Sequence, residues 1–230
     1  MACTPRAYNV LMIRTLSLSL VFCLSSVFAQ IEKGAPADPA SLAELAAAAD
    51  LVVLAQVKDT DYFRRRDIPV SGSAYLKVLI SYKGAAPVDI IEIYEKGLHD
   101  KECYFPNPTV FEEGRRFLLF LVRDPEDTTR FRGLPQGCAL DVLVNDKNRY
   151  ALRYPVTGIV LSDSLDPLAI EMKFSDSYAL ANDADLLPGE RDSMRNAGEI
   201  VAQASGQWLY TRGVPLSHLR GLMGKENLSD

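Results

Sequence analysis

Histidine is scarce in this chain. Only two occur in 230 residues, His99 and His218, and nothing reads H-E-x-x-H or C-x-x-C. The common zinc-hydrolase and zinc-ribbon ligand patterns are therefore missing. There is no G-x-S-x-G, and Ser71-Gly72-Ser73 reads as an ordinary turn. Glu112-Glu113 and the trio Asp124, Glu126 and Asp127 sit in loops, side by side. Glycosidase-type acid/base work needs two carboxylates facing across a cleft, one in an apolar pocket, so these acids read as solvated. No catalytic residue, metal ligand or cofactor is assigned. Basic residues are also outnumbered, 25 Lys and Arg against 30 Asp and Glu. An acidic chain is a poor candidate for nonspecific nucleic-acid binding.

Long apolar runs are missing too. Arg6 and Arg14 precede an apolar stretch at 16–24, and Val27-Phe28-Ala29 ends in a small-residue cleavage pattern. The stretch is short for a bilayer span. The expectation is a signal peptide over residues 1–29, with an uncleaved anchor as the alternative. The mature chain, starting at Gln30, is then secreted or periplasmic with no transmembrane segment. Removing residues 1–29 takes two arginines and no acid, which moves the net charge from −5 to −7. Cys3 and Cys23 leave as well, so only Cys103 and Cys138 remain. In an oxidising compartment two cysteines are expected to form one disulfide, with two free thiols as the alternative. Such a bridge is worth about 3–4 kcal/mol in the chain-entropy picture.

The remaining sequence is rich in β-pattern. A short helix is predicted before Asp50, with Asp38 as cap, Pro39 at the first helical position and capping-box spacing at Ser41 and Glu44. Residues 51–57 are mostly apolar on both faces, as in a strand covered on two sides. A long polar connection is read over 58–73, with Pro69 and Gly72 as turn signals. Strands at 74–83 and 88–94 make an antiparallel hairpin. Residues 117–122 are apolar throughout and read as a central strand. A polar loop follows over 124–137. Segments 140–144 and 150–156 flank a turn-rich pentapeptide and form a second hairpin. Five or six strands with such spacing predict a mainly β protein, a small OB-like Greek-key barrel with a short N-terminal helix. That domain is assigned to residues 30–157. Residues 158–230 are assigned to a helical extension packed on the barrel. One helix is predicted from Pro188 to about Ser205, carrying Met194, Ala197, Val201, Ala204 and Trp208 at helical spacing, and another at 215–223.

Residues 47 to 144 resemble the tissue-inhibitor-of-metalloproteinases/netrin-module type of OB-fold. The likeness rests on the runs at 48–57 and 75–84, the Ile-rich strand at 88–94, Cys103, and Gly114-Arg-Arg-Phe-Leu-Leu-Phe-Leu121. The resemblance implies the fold more than the function. That family's zinc-chelating inhibition needs an N-terminal cysteine, and here the expected N-terminus is Gln30. What carries over is an exported barrel that binds a protein or a glycan.

The candidate ligand-binding residues are Arg64, Arg65 and Arg66, in the loop that OB-folds often use for ligands. Three adjacent cations can grip a sulfate, phosphate or carboxylate. The plain alternative is a solvated tip neutralised by Asp59, Asp61 and Asp67. Tyr75, Tyr82, Tyr94 and Tyr104 at strand spacing read as packing residues, an aromatic binding surface being the alternative. The functional reading is a non-enzymatic binding module for a protein or an anionic glycan, acting on an extracellular protease in one version. Two alternatives stand beside it. One is a hydrolase using His218 in the extension, and the other an envelope-assembly protein with Trp208 at an interface. The oligomeric state is not legible.

Overall fold

The computed structural model describes residues 39–65, 68–86, 88–95, 113–135, 137–156, 159–225 and 228. They fall in the second of two units, Pro36–Asp230. Helix α1 (Leu42–Ala48) starts at Ser41. The Ser41 hydroxyl accepts the Glu44 N–H at 3.1 Å, and the Glu44 carboxylate accepts the Ser41 N–H at 2.7 Å. The capping box predicted from the sequence is present, and the cap is Ser41, three positions after Asp38, the expected cap, which lies outside the described residues. Leu42, Leu45 and Ala46 are buried. Lys83 holds the other end, its Nζ donating to the Ala46 and Ala47 carbonyls at 2.8 and 2.9 Å. A cation there satisfies orphan carbonyls and complements the helix dipole.

Strands β1 (Leu51–Arg65), β2 (Ile68–Lys83), β3 (Ile90–Glu95), β4 (Arg116–Arg123) and β5 (Phe131–Gly133) close a five-stranded, OB-like barrel. The order around it is β1-β2-β3-β5-β4, and β4 returns to β1. All pairs are antiparallel except β3 with β5. Both faces of β1 are buried, as its sequence requires. Val53, Ala55 and Val57 point into the barrel with Leu76, Ile91, Ile93, Leu119 and Phe131. Val52 and Leu54 point out, against Leu45, Phe120, Leu140 and Leu219. Burying one such side chain is worth about 1.5–3 kcal/mol.

Two parts of the barrel depart from the sequence reading. The polar stretch 58–73 is not a loop. It is the far end of one long hairpin, in which β1 and β2 pair as far as Arg65 and Ile68. A polar ladder forms because one face of it is free for water. Gly72 permits the close crossing. Its φ is +145°, and a Cβ there would lie 2.3 Å from the Asp61 carbonyl oxygen. The stretch 124–137, also read as a loop, contains β5, which Phe131 anchors in the core at 1% exposure.

Strand β4 shares its second edge between β5 and β6 (Ala139–Val144), and a second sheet grows from there. It runs β4-β6-β7-β12-β8, with β7 at Tyr150–Tyr154, β8 at Ile170–Glu171 and β12 at Arg212–Pro215. The predicted β6–β7 hairpin is thus present, outside the barrel. A small third sheet, β10-β11-β9, is built from Ile200–Ala202, Trp208–Tyr210 and Leu180–Ala181.

The extension carries helices α2 (Pro188–Asn196) and α3 (Leu216–Leu222), and it packs on the barrel through Leu216, Leu219 and Met223. The helix predicted to reach Ser205 stops at Asn196. Gly198 takes φ +71°, and the Glu199 N–H returns to the Met194 carbonyl, a helix-ending pattern. Val201 and Trp208 lie on strands instead, where Val201 pairs with Leu209 and Trp208 with Ala202. Their helical spacing is coincidental. Among the described residues no helix is long and apolar enough to cross a membrane.

Candidate binding face

The bulge at Lys58 resets the alternation of β1. Beyond it Thr60 and Tyr62 turn inward, opposite Ala74 and Gly72, while Asp59, Asp61 and Phe63 turn outward. Burial raises the Tyr62 phenol, and the charge of Glu95 adds to that. Among the described residues the hairpin passes both neighbours beyond Gly72, since β3 pairs β2 no further than Gly72 and β4 pairs β1 only over Leu51–Gln56. Its end carries Phe63, 68% exposed, with Arg64 and Arg65 also exposed. Arg66 lies outside the described residues.

The outer barrel wall continues from this tip. Ser73 pairs Tyr94 and Tyr75 pairs Glu92, so both tyrosines look outward on one face. Neighbouring carboxylates raise the Tyr75 phenol, Glu92 most, with Asp61 and Asp59 contributing. Tyr82 is buried instead, and Tyr104 lies outside the described residues. Of the four tyrosines, two therefore belong to a surface and one to the core.

Beside Tyr94 stands a built ionic cluster. The Arg130 guanidinium lies 3.7 Å from the Tyr94 ring centroid, a cation–π contact. Its Nε donates to Asp124 at 2.6 Å, and Arg132 reaches the other Asp124 oxygen at 2.8 Å. Asp124 has no exposed surface, which corrects its reading as a solvated loop acid. Burial on its own would raise this carboxyl. The Glu126 N–H and the two guanidiniums outweigh that and hold it below the ordinary carboxylate range. Asp127, by contrast, does serve as an exposed turn cap, accepting from Thr129.

Other charged groups hold the scaffold. Asp141 binds Arg115 at 2.9 Å and Arg153 at 2.7 Å, tying the residue before β4 to β6 and β7. An open cavity of about 380 Å³ is lined by Tyr154, Val156, Ile159, Leu161, Asp163 and Asp166 among others. Its carboxylates are engaged: Asp163 accepts the Leu42 N–H, and Asp166 accepts from Tyr154 and Arg212.

The remaining candidates fall elsewhere. Cys138 is fully buried among barrel residues, while Cys103 and His99 lie outside the described residues. His218 is exposed on α3, and among the described residues no carboxylate accepts a hydrogen bond from it. The Trp208 N–H donates to Asp183 at 3.0 Å, so its polar edge is satisfied within the chain. Among the described residues no three His, Cys, Asp or Glu side chains gather as a metal site would require. The Asp124 cluster was missed from sequence because its partners, Arg130 and Arg132, are brought in by β5, a strand hidden in a polar run. Compared with known protein families, curated proteins and solved structures, the chain has no match.

Proposed function

We propose that this chain is an exported, non-enzymatic binding module that grips a sulfated or carboxylated glycan with the end of its β1–β2 hairpin. The observation that carries this reading is the exposure of Phe63, Arg64 and Arg65 at the hairpin's end, where among the described residues β1 pairs β2 alone. Guanidinium forks match the geometry of sulfate and carboxylate, and Phe63 offers an apolar ring beside them. Arg66 completes the basic run in the sequence. Attraction between exposed guanidiniums and an anionic glycan is screened by salt, so binding of this kind is salt-dependent. The test is retention on a sulfated-glycan column of the mature chain against R64A/R65A/R66A. The wild type elutes at higher salt than the variant. Identical elution, with both proteins folded by circular dichroism, removes the reading.

A further inference from the structure

The outward face of β1 carries charge in a particular order. At two-residue steps it reads Asp59, Asp61, Phe63, Arg65, all exposed, while Thr60 and Tyr62 between them are half-buried. The register shift between Phe63 and Arg64 puts its extra residue on β2, between Pro69 and Ser71. The alternation of β1 therefore runs unbroken to Arg65. Carboxylate, aromatic ring and guanidinium stand in line, roughly 7 Å between successive members. The residue opposite Phe63 on β2 is Ser71, too small to cover the ring.

Such a row is complementary to itself when reversed. A two-fold axis through Phe63 carries Asp61 onto Arg65 of a second copy and Arg65 onto Asp61 of that copy. This reciprocity is the condition for an isologous contact. We infer that the outer face of the β1–β2 hairpin is a homodimer interface, occupied by the same face of a second copy, with two Phe63 rings at the axis between reciprocal Asp61–Arg65 ion pairs. A central aromatic anchor with charges around it is the usual anatomy of a protein contact. The ion pairs set register and orientation more than affinity. The face is short against the roughly 1,600 Å² of a standard stable interface, so the dimer is reversible and dilution splits it. Arg64 lies on the opposite face of the hairpin by alternation and stays out of the contact. This contact goes beyond the glycan reading and competes with it, since Phe63 and Arg65 serve both and only one partner holds them at a time.

Sedimentation velocity on the mature chain, from micromolar to millimolar concentration, tests this. The weight-average mass rises towards two copies. Phe63→Ala, Asp61→Arg and Arg65→Asp each return it to one copy while circular dichroism stays unchanged. The decisive arm mixes D61R with R65D. Each is monomeric alone, and together they form a heterodimer, because both ion pairs are restored across the axis. The double variant D61R/R65D regains the homodimer. A wild type that stays monomeric throughout overturns the inference. So does a dimer that survives Phe63→Ala, a mixture that fails to pair, or growth beyond two copies. D61R also separates this idea from the glycan reading, since it abolishes the dimer and leaves column retention intact or stronger.

Discussion

Asp124 accepts the Arg130 Nε–H at 2.6 Å from within the turn joining β4 to β5, and it does so with no surface of its own exposed. The same guanidinium covers Tyr94 on β3. One carboxylate therefore fixes the loop, the start of β5 and the outer barrel wall together. Removing one partner of a buried pair leaves the other's charge uncompensated, which costs far more than the pair itself contributes.

Asp124→Asn is accordingly expected to destabilise the protein by about 3 kcal/mol at pH 7, read from urea unfolding. The sign of its pH dependence follows from the lowered carboxyl. A carboxyl whose folded value lies below its unfolded one stabilises the fold fully above the unfolded value, about 3.9. That stabilisation fades as pH falls through the folded value. The gap between wild type and Asp124→Asn should close between pH 5 and pH 2. A gap that stays constant across that range contradicts the assignment.

Gly72→Ala tests the long hairpin. The glycine sits at φ +145°, with the Asp61 carbonyl 2.3 Å from any added Cβ, so the strands must part. Overpacking of this kind costs about 1–3 kcal/mol. The loss should concentrate in the hairpin, seen as faster amide exchange at residues 60–72 than in β4. Uniform exchange across the barrel is the contrary outcome.

Cys138 is buried against the barrel core, and its proposed partner is Cys103. Thiol titration of the denatured, unreduced mature protein should find no free thiol. Reduction should then lower stability by about 3–4 kcal/mol. Two titratable thiols before reduction rule out the bridge.

Much of the architecture was legible residue by residue. Val52 to Ala55 is apolar at every position on both faces, as suits a strand between two cores, and β1 lies between two cores. Ser41 and Glu44 announced the start of α1 because capping is a local interaction. Leu216, Leu219 and Met223 share a buried face on and just beyond α3 for the same reason. Polarity alone does not distinguish a solvated loop from a polar ladder or a sealed ion pair, which is why 58–73 and Asp124 depart from the sequence reading. Spacing alone does not distinguish one helix from the strands that hold Val201 and Trp208.

The amino-acid order by itself determined the apolar parts of β1 to β4 and the first helix, since each follows from periodicity or capping within a few residues. Only the tertiary structure decided that Arg64 and Arg65 stand at the end of a long hairpin, that Asp124 is sealed beneath two arginines, and that Val201 faces Leu209 across a ladder. Those outcomes depend on which distant strand supplies the partner. Nearest neighbours in the chain carry no record of that choice.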